Sequence, residues 1–221
     1  MKGSSIATIA VRLKHADPVF LFTHEFADGD ALGSMVSLVL YLRSLGKEVY
    51  AFVPGKVQTV YRFLGTDDLI NTLTLSEAEA RIRQSKVTCL SADAADVDRL
   101  GEWKQLFLAG AERLVLDHHD TNAGFGDVFF VDETASSCCE VLYELFTVMD
   151  ASHIDRLVAS ALYTGLVSDT GSFQYEKTKA QSLIYCARLI ALGACPDEPW
   201  DQFPDQVLGH HGFHRQPAAL V

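Results

Sequence analysis

Basic residues are scarce in this chain. Against 29 aspartates and glutamates stand 18 lysines and arginines, for a formal net charge of −11 over 221 residues. A surface of that sign gains little from phosphate attraction, which argues against binding extended duplex nucleic acid through a broad basic face. Long apolar runs are also missing. The longest uncharged apolar stretch, "ALGSMVSLVLYL", falls short of the roughly 20 residues that span a bilayer, so no membrane partner is expected. The early run "SSIATIAVRLKH" is short, carries Arg12 and lacks a small-residue cleavage site, and so does not read as a signal peptide. No C-x-x-C pair occurs among the five cysteines, Cys89, Cys138, Cys139, Cys186 and Cys195. An odd set without redox or zinc spacing reads as reduced, mostly buried small side chains of a soluble, cytoplasmic protein. There is no internal repeat and no low-complexity tract.

Proline is rare as well, and four of the six prolines fall after Ala194. That last stretch, "PDEPWDQFPDQVLGHHGFHRQPAALV", shows neither a helical nor a strand period. Residues 196–221 are therefore expected to form a linker-like or disordered tail, with His210, His211 and His214 solvated rather than metal-binding. The rest, residues 1–195, is 48% hydrophobic when taken with the tail and is expected to form one large domain.

What the chain does have is alternation of strand and helix. "PVFLFT" (18–23), "EVYAFV" (48–53), "KVTCLSA" (86–92), "ERLVLD" (112–117) and "DVFFVD" (127–132) read as short, continuously apolar strands. Between them, residues 31–45 closed by Gly46, a short helix in "VQTVYRFLG", a helix in "LSEAEARIRQ" opened by Ser76 and Glu79, and one around 97–108 supply helical segments. The second half turns helical, with "SSCCEVLYELFTVM", "IDRLVASALYTGLVSD" and "TKAQSLIYCARLIALGA". Such alternation predicts an α/β fold: a doubly wound, mostly parallel sheet with helices on both faces, then a helical segment and an irregular tail.

Ligands of open α/β sheets gather beyond the carboxyl ends of the strands. His24, Asp28 and Asp30 follow the first predicted strand, Asp93 the third, and Asp117, His118 and His119 the fourth, while Asp169 precedes a glycine-containing turn late in the helical half. Taken singly, these carboxylates are as readily helix caps: Asp30 before Ala31, Asp93 before its own helix. Adjacent histidines and an H-x-x-x-D-x-D spacing at strand ends are harder to obtain from capping alone. Gly29 permits close approach of Asp28 and Asp30, and bound cations would offset their repulsion. The donor set is mixed oxygen and imidazole nitrogen without thiolate. It favours Mn²⁺ among the hard divalent ions, with Fe²⁺, Co²⁺ and Zn²⁺ admissible. Six ligands suffice for two ions about 3.5–4 Å apart, an arrangement suited to in-line displacement at phosphorus.

"HEFADGDALGS", "SADAADVDRLG", "VLDHHDTNAGFGD" with "ETASSCCE", and "GLVSDTGSFQY" resemble, in order, the four motifs of the DHH phosphoesterases. The resemblance covers roughly residues 10–195 and is strongest to the bifunctional oligoribonuclease and pAp phosphatase branch. It implies that His24 and Asp28 hold one Mn²⁺ and that Asp30, His118 and Asp169 hold a second. Asp93 then bridges the two ions. His119 would face the substrate phosphate and help the leaving oxygen, and Asp117 would orient the motif or hold a histidine tautomer. Asn122, Ser136 and Ser137 occupy matching positions, where they would set the loop and the helix start. Arg99 is a candidate phosphate contact. Two departures stand out. Phe26-Ala27 replaces the Asn-Pro usual in the family, and no Gly-Gly-Gly-His-like segment of the family's substrate-binding domain is found, so that domain is expected to be absent.

The expected function is hydrolysis of short oligoribonucleotides or of 3′-phosphoadenosine 5′-phosphate by a metal-dependent phosphoesterase. The alternatives are a catalytically weak metal-binding module lacking its recognition domain, or a pyrophosphatase or polyphosphatase of the same superfamily. The expected partners are short RNA or a nucleotide phosphate, and a homodimer is kept as an option.

Overall fold

The computed structural model describes residues 2–195; the predicted tail at 196–221, with its three histidines, lies outside the described residues. In chain order the elements are β1 (Lys2–Gly3), α1 (Ile6–His15), β2 (Val19–Phe22), α2 (Gly29–Ser44), β3 (Val49–Phe52), α3 (Thr66–Leu69), α4 (Leu75–Gln84), β4 (Thr88–Ala92), α5 (Lys104–Leu108), β5 (Glu112–Asp117), β6 (Val128–Val131), α6 (Cys138–Asp150), α7 (Arg156–Asp169) and α8 (Ala180–Ala191). Short 3-10 helices, Thr59–Leu64, Asp98–Trp103 and Ala151–His153, fill connections.

The six strands form one sheet in the order β1-β6-β5-β4-β2-β3. Every pairing is parallel except that of β1 with β6. Strand residues alternate between two cores. Val19 and Leu21 face the larger one with helices α1, α2, α6 and α7. Phe20, Phe22 and Phe52 face the smaller one with Ala78 of α4 and Leu106 and Phe107 of α5. Both sides of the sheet are thus covered, which is why its strands read as unbroken apolar runs.

Two local expectations need correction, and one helix was not expected. The capping box of α4 lies at Thr74 and Glu77, not at Ser76 and Glu79: the Thr74 amide donates to the Glu77 carboxylate at 2.8 Å and the Thr74 hydroxyl accepts from the Glu77 amide. Both pairs have the right spacing. Leu73, packed against the smaller core, fixes the earlier entry. The helix expected around 97–108 is broken into a 3-10 turn and α5, because Gly101 takes φ 53°, ψ −129°, outside helical space. Finally, the segment "SSIATIAVRL" forms α1, capped by Ser5, whose buried residues Ile9, Ala10 and Leu13 join the larger core.

Topology then places the site. The chain moves outward from β2 to β3 and returns across β2 to β4, so the strand order reverses between β2 and β4. That reversal opens a crevice at the carboxyl ends of the strands. Register puts Phe22 beside Ser91 and Ala92 beside Leu116, so the loops after β2, β4 and β5 leave the sheet side by side.

Candidate metal centre

Helices α2 and α7 supply the remaining wall because glycines let them touch. A Cβ on Gly33 would meet the Ala161 carbonyl oxygen at 2.5 Å, and one on Gly29 would meet Ser168 Cβ at 2.6 Å. This close packing sets Asp169, the last residue of α7, near the first turn of α2.

Each side chain is held for a local reason. Asp28 caps α2, accepting from the amides of Asp30 (3.0 Å) and Ala31 (3.1 Å) through Oδ1. The capping alternative raised for Asp30 is therefore filled by Asp28. Asp30 is fully buried and accepts from the first two amides of α6, Cys138 N–H to Oδ2 at 2.6 Å and Cys139 N–H to Oδ1 at 2.9 Å. Asp93 caps nothing. It sits in a left-handed conformation, φ 59°, while Asp96 accepts from the amides of Asp98 and Arg99 in the turn that follows. His24 Nδ1 bonds to the Glu25 carbonyl at 2.6 Å, which makes it the protonated nitrogen and frees Nε2.

β5 ends at Asp117, and the two adjacent histidines then diverge. His118 is buried, with Nε2 at 3.2 Å from Asp169 Oδ2, 3.5 Å from Asp93 Oδ1 and 3.8 Å from Asp30 Oδ2. His119 is partly exposed and is held by Nδ1 against Asp117 Oδ1 at 2.7 Å, leaving Nε2 for a ligand. Asp117 is held on both oxygens: Oδ1 also accepts from the His118 amide at 2.8 Å, and Oδ2 accepts from Asn122 Nδ2 at 2.7 Å. Asn122 is locked in turn by Ala94 and Gly124. Ser137 caps α6, and Ser136 bonds to buried Glu140.

Ligand atoms of His24, Asp28 and Asp93 lie within 4.8 Å of one another, as do those of Asp30, His118 and Asp169, and those of Asp93, Asp117, His118 and His119. All eight residues singled out in the sequence thus converge. The atoms fit a cation better than they fit each other. Asp93 Oδ1 and both ring nitrogens of His118 are buried without a hydrogen-bond partner, a costly state for such groups. Two donors each about 2.1 Å from an octahedral ion sit about 3 Å apart, close to the separations seen.

Ionisation points the same way. Burial, then the Asp93 charge, pushes Asp169 up to about 7 and Asp30 well above the carboxylate range. Asp93 is lowered despite its burial, because His118 and His24 flank it. Burial opposes charging of His24 and His118, but Asp93 beside them raises both. Without a cation the cluster favours bound protons, which a divalent ion held there would displace.

Sequence reading missed two neighbours. Tyr61 bonds to Ser168 beside Asp28, and burial followed by the Asp28 charge pushes its hydroxyl up to about 12. The other is Ser182 of α8, which donates to Glu140 at 3.0 Å. Neither carries a motif; only helix packing brings them here.

Residues 18–166 match the DHH family, N-terminal domain. The chain belongs to the DHH family. It is 30% identical over 226 residues to the bifunctional oligoribonuclease and PAP phosphatase NrnA of Bacillus subtilis (strain 168), covering all of this chain and 67% of that protein. It is 28% identical to the enzyme of the same name from Thermus thermophilus, covering 89% of this chain and 60% of that one. This DHH chain therefore spans about two thirds or less of each relative's length. An exopolyphosphatase-related protein from Bacteroides fragilis has the same fold, with a TM-score of 0.81 at 24% identity over 89% of this chain and 59% of that one. No helix among the described residues is long and apolar enough to cross a membrane.

Proposed function

We propose that this DHH chain is a phosphoesterase that hydrolyses short oligoribonucleotides and 3′-phosphoadenosine 5′-phosphate with the help of two divalent cations, Mn²⁺ foremost. One observation carries the reading: two separate triads, His24/Asp28/Asp93 and Asp30/His118/Asp169, with buried Asp93 facing the imidazoles of both at 3.6 and 3.5 Å. The similarity to two proteins named for these activities supports the choice of substrate. Free and mostly buried cysteines support a cytoplasmic setting.

In this reading His24, Asp28 and Asp93 would hold one cation, and Asp30, His118 and Asp169, with Asp93, the other. Bound there, the cations would supply Lewis-acid activation of the phosphate and of the attacking water. The chain's own residues do the rest. Asp117 holds His119 by Nδ1, so Nε2 is aimed at the substrate side and can carry a proton to the leaving oxygen. The hydrogen bond to the Asp117 carboxylate raises the His119 pKa and so favours its protonated form. Asn122 anchors Asp117 and does not meet substrate.

The test is release of mononucleotide from a 5′-labelled RNA dinucleotide by the purified chain, with Mn²⁺ or chelator, alongside 3′-phosphoadenosine 5′-phosphate and pyrophosphate. Mn²⁺-dependent turnover of the nucleotides, abolished in Asp93→Ala, is expected. Faster pyrophosphate turnover would instead assign the chain to pyrophosphate or polyphosphate hydrolysis. Mn²⁺ binding with no turnover of any substrate would leave a metal-holding module.

A further inference from the structure

Phe26 is out of place by every rule that governs the core. Its side chain is 84% exposed, and its backbone is held at φ 60°, a region that bulky residues rarely occupy. No packing gain offsets that conformation, and such strain tends to persist where a ligand is handled. Phe26 lies two residues after His24 and two before Asp28, both members of the same triad.

Phe26 is one of the residues lining a cleft of about 230 Å³, with Glu25, Pro54, Gly55, Lys56, Gly101 and Glu102. These residues come from the loops after β2, β3 and β4, so the cleft opens on the same edge of the sheet as the metal centre. The loops are tied together. The Glu25 amide donates to the Arg99 carbonyl at 2.7 Å, and the Gly55 amide to Glu102 at 3.3 Å. Gly101, at φ +53°, lets the two loops approach; a Cβ there would meet Pro54 Cβ at 3.1 Å. The volume is below that of drug-sized pockets, about 300–1,000 Å³, and suits one planar ring system.

We infer that Phe26 is a stacking platform for a nucleobase of the substrate, seated in this cleft while the adjoining phosphate lies at the metal centre. The inference deepens the proposed function and rests on it for the identity of the substrate. Every base has a π-face, so stacking on an exposed aromatic gives affinity without demanding a sequence. Pro54, Gly55 and Gly101 add apolar lining to the cleft, and Glu25, Lys56 and Glu102 add charged groups. Phe26 is a substrate-binding residue that meets the base away from the reacting phosphorus.

The deciding experiment is calorimetric binding of adenosine 5′-monophosphate and of ribose 5-phosphate to the full chain in Mn²⁺, for wild type, Phe26→Ala and Phe26→Trp. Neither ligand carries the phosphodiester or the 3′-phosphate that the proposed reaction cleaves, so binding is read apart from turnover. Wild type should bind the base-bearing ligand more tightly. Phe26→Ala should lose about 5- to 150-fold of that affinity, the range found for one base on one aromatic ring, with ribose 5-phosphate unchanged. Phe26→Trp should retain or strengthen the preference. Equal binding of the two ligands by wild type, or an alanine effect that is absent or the same for both, would overturn the stacking role. Failure of dinucleotide hydrolysis would instead overturn the proposed function, and the difference between the two ligands would still decide the role of Phe26.

Discussion

Asp30→Asn should cost far more than a lost metal ligand. In the wild-type chain each Asp30 oxygen accepts one amide from the start of α6, at 2.6 and 2.9 Å. Either oxygen can accept whether the acid is ionised or protonated. The asparagine NH₂ cannot accept, so in either orientation one of the Cys138 and Cys139 amides faces a donor. Both donors are then buried without partners, at about 1–3 kcal/mol each. Rotating the amide away is blocked by close packing, since Gly165 leaves no room beside Asp30 Oδ1. The expected loss is about 2–6 kcal/mol in the metal-free chain, or a drop of roughly 1 M or more in the urea midpoint. Asp28→Asn is the control. Asparagine caps helices as well as aspartate does, so its metal-free stability should stay within about 0.5 kcal/mol of wild type, although it too should weaken Mn²⁺ binding. The assay is urea unfolding in chelator, followed by far-ultraviolet circular dichroism and by tryptophan fluorescence to check that the transitions coincide. A metal-free loss below about 1 kcal/mol for Asp30→Asn, or equal losses for the two variants, would refute the structural role assigned to Asp30.

Other expectations concern the same centre. Gly165→Ala would place its Cβ 2.2 Å from Cys139 Sγ and 2.6 Å from Asp30 Oδ1; thermal unfolding should show a loss of about 1–3 kcal/mol or more, and calorimetry should show weakened Mn²⁺ binding. Asp169, pushed up to about 7 in the fold, is raised above its unfolded value, so its contribution to metal-free stability is full below about pH 4 and is lost as pH rises through about 7. Cation binding requires the ionised form, so the Tm gained from Mn²⁺ should widen between about pH 5 and 8; a constant gain would contradict the arrangement. Ser182→Ala removes the hydroxyl that bonds to Ser136 and Glu140, at 3.0 Å in each case, and should cost about 1 kcal/mol in urea unfolding with Mn²⁺ affinity unchanged, because this latch ties α8 to α6 away from the ligands.

The α/β class, the buried parallel strands and the convergence of His24, Asp28, Asp30, Asp93, His118, His119, Asp117 and Asp169 were legible from sequence alone. Apolar runs of strand length report burial on two faces, and strand ends point to the ligand-binding edge. Local chemistry also placed most of the helix starts, but it could not choose between equivalent signals. Thr74 and Ser76 both offer capping spacing to a glutamate, and the packing of Leu73 chose the first. Gly101 within the stretch 97–108 gave no sign that it would leave helical space, since glycine is merely tolerant of either conformation. The segment 4–15 read only as a failed signal peptide until its burial against the sheet made it α1.

The roles within the site depended on the third dimension. Asp28 caps its own helix through the amides two and three residues on, a local bond, but only helix packing gave Asp30 to the amides of α6, a contact across more than 100 residues. The pairing of Asp117 with His119 rather than His118 follows from where β5 ends and the chain turns. Residue order determined which chemical groups this protein brings to the edge of its sheet. Which atoms remain unsatisfied there, and so ready for a cation, was decided by tertiary packing, because hydrogen-bond satisfaction depends on neighbours that are distant along the chain.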